Sequence, residues 1–240
     1  MFGNVLDSHP EISCECEFLN HLKKSSLRDK VNYVYSYFAE NKNGENSEPK
    51  HIIGGTINPF KYKLEPPNFY QLIYPDCSTE TEFLLRKKQS EIKPQIQIIL
   101  LLRKNFLKQA ISLYLVKERK QWASSLDLIK NKETLNKKEF DLDKLQKLFI
   151  DVNNSSAKLT QFANSLTNDY HTVFYEDFLE DSRKVKVFNQ VFTYVGASPM
   201  DDSFDFTAGF QKINSDDLRN VIANYQDLYK YSEFLPYLEN

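Results

Sequence analysis

Apolar and polar positions divide this chain into segments of two kinds. The clearest is QIQIILLLR, which ends in five consecutive apolar residues, Ile98 to Leu102, and then Arg103. A short β-branched and leucine run that does not alternate predicts a strand buried on both faces, as in a parallel sheet. HIIGGTINPF predicts a second strand, up to Pro59, and DYHTVFYEDF a third, ending on Tyr175-Glu176-Asp177. Other segments carry the helical period. Phe2, Val5 and Leu6 share one face of a short helix that His9-Pro10 ends. Val31, Val34, Tyr35 and Phe38 fall at i, i+3, i+4 and i+7, and a polar turn around Gly44 follows. Between these helices PEISCECEFLNHLKK reads as a loop leading into a short helix. Asn105 is placed to cap a helix running to about Trp122. Residues 139–168 predict a long helix after FDLD, and SRKVKVFNQVFTYVG another, closed by Gly196. SDDLRNVIANYQDLYKYSEFL predicts one or two final helices. Strands alternating with longer helices predict an α/β chain with a mainly parallel sheet, although three strands are few for this length.

Composition narrows the functional classes. At 240 residues the chain can bury one substantial core, so residues 1–240 are expected to form a single domain. The net charge of -2 gives no global basic field, which argues against nucleic acid as a partner and confines any anion site to a local cluster. The run Ile98–Leu102 is too short to cross a bilayer, and MFGNVLDSHPEI lacks the basic and apolar regions of a signal peptide. Three cysteines, Cys14, Cys16 and Cys77, imply no disulfide framework and point to a reducing, cytoplasmic compartment. Cys14-Glu15-Cys16 has no Cys/His pair following at ligand spacing, so no metal is expected. No G-x-x-x-x-G-K-[ST] segment of a P-loop kinase occurs.

The local cluster is at Arg103. Ligands of open α/β sheets sit beyond the carboxyl ends of the strands. There the start of the next helix offers backbone N–H groups and a positive dipole end. Arg103 and Lys104 add full charge, and the guanidinium fork suits a phosphate. Ser112, two turns into the helix, could donate a hydroxyl to the same anion. The plain alternative is a solvated strand-end cation beside an indifferent helical serine.

The segment RKNFLKQAISLYLVKERKQW resembles the 3'-phosphate-binding segment of sulfotransferases that use 3'-phosphoadenosine 5'-phosphosulfate (PAPS). The resemblance is closest to the bacterial branch that includes trehalose 2-sulfotransferase. In that branch a strand ends on Arg and a helix of the type L-x-Q-A-x-S comes next. Leu107, Gln109, Ala110, Ser112 and Trp122 match. LDSHPEISCECEFLN, VFYEDFLEDSRKVKVFNQVFTYVG and QKINSDDLRNVIANYQDL resemble three further blocks of the family, in order, so the likeness spans nearly the whole chain. It implies a helix-rich, P-loop-like three-layer sandwich with a central, mainly parallel sheet and helices on both faces. It implies PAPS as co-substrate, no metal, and the hydroxyl of a carbohydrate, glycolipid or similar small molecule as acceptor. Carried over, Arg103 and Ser112 would hold the 3'-phosphate, Lys212 would reach the nucleotide, and Glu17, or Glu15 beside it, would be the base. His9, at a helix end, is a rival base by the pKa of a histidine side chain, but SHP recurs in the family as a structural turn. Glu176-Asp177 could pair as acid and base, but YED is mostly architectural there. By position Trp122 reads as packing between helices rather than stacking on adenine, His51 and His171 as structural beside strands, and His21 as a weak candidate base.

The chain also departs from the family. Its R-S-G-[ST] loop, which wraps the 5'-phosphosulfate, and the strand before it would fall ahead of Met1. Thr56 stands where relatives often carry a lysine. The resemblance then implies a fragment, a remnant that no longer transfers sulfate, or a gap filled by another chain or segment.

Overall fold

The computed structural model describes residues 2–15, 29, 52–55, 79, 81–82, 85, 97–119, 137–166, 169–206 and 217–238. Its contacts group the chain into two compact units. One comprises Met1–Leu101 and Thr160–Phe210, the other Leu102–Leu159 and Gln211–Asn240. The expected helix around Val31–Phe38, the turn at Gly44, and Thr56, Cys77 and Trp122 lie outside the described residues.

The first unit begins with helix α1, Phe2–Ser8, which buries Val5 and Leu6 and stops before Pro10 as its pattern predicts. Turn bonds from His9 N–H to Leu6 O (3.1 Å) and from Ile12 N–H to His9 O (3.2 Å) reverse the chain. After the turn comes strand β1, Ile12–Glu15, in place of the expected loop. It pairs in parallel with β2, Ile52–Gly55, with Ile12 opposite Ile52 and Cys14 opposite Gly54. Four residues give too short a pattern to reveal a strand. Pairing fixes it: Ile12 and Cys14 are buried while Ser13 between them is half-exposed, the two-residue period of a pleat.

The five-residue run forms strand β3, Ile98–Leu102, paired with β4, Tyr170–Phe174. Burial on both faces is not what the structure shows. Leu100 is buried, but Leu101 on the opposite face is 40% exposed. Successive strand residues point to opposite sides, so one side of this ladder is covered and the other is partly open. Among the described residues the strands form two separate two-stranded sheets. The architecture is helix-rich with a small parallel sheet, compatible with α/β.

The remaining helices follow their apolar stripes. Helix α2, Phe106–Arg119, buries Leu107, Ala110, Ile111, Tyr114 and Leu115 at i, i+3, i+4, i+7 and i+8. Helix α3, Leu142–Leu166, occupies the long helical segment expected at 139–168. A 3-10 turn, Tyr175–Phe178, succeeds β4, so the expected strand is shorter than its sequence suggested. Helix α4, Asp181–Val195, then buries Phe188, Val191 and Phe192. The expected final helices are instead 3-10 turns at Leu218–Asn220, Tyr225–Lys230 and Ser232–Phe234, ending in a single α turn, Leu235–Leu238.

Each unit has its own core. In the first, Val5, Ile12, Val173, Phe178, Phe188, Phe192 and Phe206 cluster, with the Phe178 and Phe188 rings stacked 4.8 Å apart. In the second, the α2 stripe packs with Phe140, Leu145, Phe149, Leu228 and Phe234. The rings of Phe149 and Phe234 meet edge to face at 5.3 Å, the arrangement that the ring quadrupole favours.

Gly196 closes α4 in the left-handed region at φ 86°. Its N–H bonds Thr193 O (3.1 Å), and the next N–H, of Ala197, reaches back to Phe192 O (2.8 Å). This pair of hydrogen bonds satisfies the last carbonyls of the helix. A Cβ at Gly196 would meet nothing within 4 Å, so substitution there changes backbone strain alone. Gly196→Ala is expected to lower unfolding free energy by about 1 kcal/mol, and Gly196→Asn by less. Chemical denaturation of the two variants checks this; equal stability of Gly196→Ala and the parent would contradict it.

Candidate anion-binding end of helix α2

Arg103, Lys104, Asn105 and Ser112 all belong to the second unit. Arg103 comes directly after β3 and is half-buried, and Lys104 is exposed. Asn105 is 5% exposed, one of two buried polar residues among those described. Its backbone carbonyl accepts from Gln109 N–H (3.2 Å) and its side-chain oxygen accepts from Lys108 N–H (2.8 Å). That is the expected cap. Its amide nitrogen also donates to the carbonyl of Tyr237 (3.0 Å), a partner 132 residues away. No local pattern could have revealed this second bond.

Helix geometry leaves the N–H groups of Phe106 and Leu107 without intrahelical acceptors, and the dipole is positive there. Ser112 is half-buried. At about 100° per residue it falls on the flank of the buried stripe, one turn above Lys108, and it lies about 9 Å along the axis from Phe106. An anion touching both Arg103 and Ser112 would therefore lie along that flank rather than at the helix tip alone.

The other candidates divide. Glu17, Lys212, His21 and His51 lie outside the described residues. Glu15 ends β1 opposite Gly55. His9 is fully buried, its ring 4.5 Å from that of Phe192. Glu11 N–H donates to His9 Nδ1 (3.1 Å), so that nitrogen carries no proton, and Nε2–H donates to Ser198 O (3.0 Å). Ser198 N–H in turn donates to the Glu11 carboxylate (3.1 Å). His9 thus ties the α1–β1 turn to the loop after α4, which is a packing role. His171 stacks on Tyr194 at 5.3 Å. The Tyr194 hydroxyl is pushed up by burial and then by Asp169. Glu176 O accepts Leu179 N–H within the 3-10 turn, and Asp177 lies 3.6 Å from the Arg183 guanidinium, tying that turn to α4.

Around α2 the charges are arranged in surface pairs. Glu118 and Lys138 are 2.9 Å apart, and Asp141 and Lys144 3.1 Å. Asp217 takes both arms of the Arg219 guanidinium and the Arg219 N–H (2.9 Å). Among the described residues no group of three His, Cys, Asp or Glu side chains could hold a metal, and no helix is long and apolar enough to cross a membrane.

No family model, curated protein or solved structure matches the chain. The sulfotransferase resemblance therefore rests on its sequence blocks.

The paired carboxylates carry a pH signature. Hydrogen bonds and charge from Lys138 hold Glu118 below its ordinary range, as Lys144 does for Asp141 and Arg219 for Asp217. A carboxyl with a depressed folded pKa stabilises above its unfolded value and loses that contribution as pH falls through the folded one. Stability is therefore expected to be flat from about pH 7 to about 5 and to fall below about pH 4, where unfolded carboxyls begin to protonate. Asp217→Asn should flatten part of this fall. Melting temperatures across that range and into stronger acid check it; an unchanged acid slope in the variant would remove Asp217 from the account.

Proposed function

We propose that this chain is a PAPS-dependent sulfotransferase acting on a hydroxyl of a carbohydrate, glycolipid or similar small acceptor. One observation carries the reading. Arg103 stands between a strand and an Asn-capped helix, in a segment whose residues match the family's 3'-phosphate block. The second matching strand–helix block, β4 to α4 with its Gly196 closure, supports it. The fold it implies is the P-loop-like three-layer sandwich.

In this reading Arg103 and Ser112 hold the 3'-phosphate and Lys212 contacts the nucleotide. Glu17 takes the proton of the acceptor hydroxyl as its oxygen attacks sulfur. The sulfur–oxygen bond to the 5'-phosphate breaks, giving a sulfate ester and adenosine 3',5'-bisphosphate. Little covalent chemistry falls to the protein, so positioning and charge stabilisation dominate. A second reading is a nucleotide-binding protein of sulfotransferase fold that transfers nothing. It is favoured by Thr56, which stands where relatives often carry a lysine.

Adenosine 3',5'-bisphosphate at about a hundred times its Kd is expected to raise Tm by roughly 5–10 °C, with adenosine 5'-phosphate ineffective. Arg103→Ala should remove the shift. An unmoved parent Tm would refute the 3'-phosphate site. Sulfate ester formation from PAPS with a panel of hydroxyl acceptors separates the two readings: transfer supports the enzyme, while binding without transfer supports the remnant.

A further inference from the structure

The carboxamide of Asn105 is engaged at both ends. Its oxygen accepts from Lys108 N–H inside α2, and its nitrogen donates to Tyr237 O in the turn Leu235–Leu238. The two hydrogen bonds share one planar group on a residue that is 5% exposed. Rotating the amide to release either partner strands a buried donor or acceptor, which is costly. The contact is reinforced by rings: Phe106, the first residue of α2, lies 5.8 Å from Tyr237, and Tyr237 meets Phe149 edge to face at 5.4 Å. Beyond it the Tyr225 hydroxyl donates to Leu238 O (3.4 Å). All of these residues lie in the second unit. The residues whose placement sets the first turn of α2 are thus the ones that dock the C-terminal turn.

We infer that Asn105 is a positioning residue that links docking of the C-terminal turn to the anion-binding end of α2. The inference rests on the nucleotide reading for its ligand, but not for the linkage itself. With the turn docked, the amide is locked in the rotamer that caps Lys108 N–H, and the N–H groups of Phe106 and Leu107 hold a fixed direction beside Arg103. With the turn undocked, the amide regains its rotamers and the first helical turn frays. Coupling of this kind is reciprocal: an anion that orders the first turn of α2 also strengthens docking of the C-terminal turn.

Hydrogen exchange measured by mass spectrometry on the full chain tests this. Asn105→Asp keeps an acceptor for Lys108 N–H but has no donor for Tyr237 O, so it separates capping from linkage. It is expected to speed exchange in the first turn of α2 as well, although the cap acceptor is kept, because the residue-105 side chain loses its lock when the turn undocks. Loss of a single hydrogen bond should speed exchange in the C-terminal segment about fivefold. Tyr237→Ala keeps the backbone carbonyl that Asn105 bonds but removes the ring contacts that dock the turn, and so should act in the reverse direction, speeding exchange of the Lys108 and Gln109 N–H groups, with α4 unchanged in both variants. Effects confined to the mutated side in either variant would overturn the linkage. In the parent, saturating adenosine 3',5'-bisphosphate should slow exchange in both segments. Slowing at α2 alone would overturn the linkage and leave the nucleotide reading standing. Reciprocal effects of the two substitutions with no ligand effect anywhere would uphold the linkage and sink the nucleotide reading.

Discussion

A buried carboxamide must satisfy an acceptor and a donor at once, and much of the second unit is arranged around how Asn105 does so. Its oxygen starts α2 and its nitrogen holds the C-terminal turn. Neither bond is strong by itself in water. Their weight comes from burial, where an unmade hydrogen bond costs the full desolvation of the group. A half-buried carboxamide makes a similar pair of bonds at Asn224. Its side chain accepts from Phe140 N–H and donates to Phe140 O, both at 2.9 Å, so that it imitates a neighbouring strand. Beside it the chain makes a bridge between Lys138 and Ile222. Two asparagines thus fasten the C-terminal segment at its middle and its end. Bonds of this kind can hold a segment built from short 3-10 turns.

Around these polar fixings the apolar contacts supply most of the driving force. Tyr114 illustrates how the two kinds combine. Its ring packs on Phe140 with centroids 4.5 Å apart, and its hydroxyl accepts Asp141 N–H (3.2 Å) at the start of α3. One side chain therefore buries apolar area and caps a polar group. The first unit has an aromatic cluster of its own. Phe204 and Phe206 face Phe192 and Phe188 across the end of α4. Asn189 pins their loop by bonding both N–H and O of Met200.

Elements written in a long period were legible in the sequence. The α2 stripe, the long α3 and the Gly196 closure of α4 needed only spacing and one special residue. Elements created by pairing were not. β1 is four residues with a serine and a glutamate in it, and it becomes a strand because Ile52–Gly55 lies alongside. The C-terminal segment carries helical spacing, yet Asn224 bonds to backbone elsewhere and Asp217 caps its own turn, which breaks it into 3-10 turns. Of the candidate site, Arg103 and the Asn105 cap could be read from their place after an apolar run. Ser112 could be read only as a position on a helix.

By itself the sequence determined where several helices begin and end and that α2 starts beside an arginine, because those features depend on residues within a turn or two of each other. Tertiary structure alone decided that Leu101 faces partly outward, that His9 bonds the loop after α4 and that Asn105 serves Tyr237. Each of those outcomes depends on a partner distant in sequence. A hydrogen bond or a covered face is a property of the pair, and neither member carries a mark of it alone.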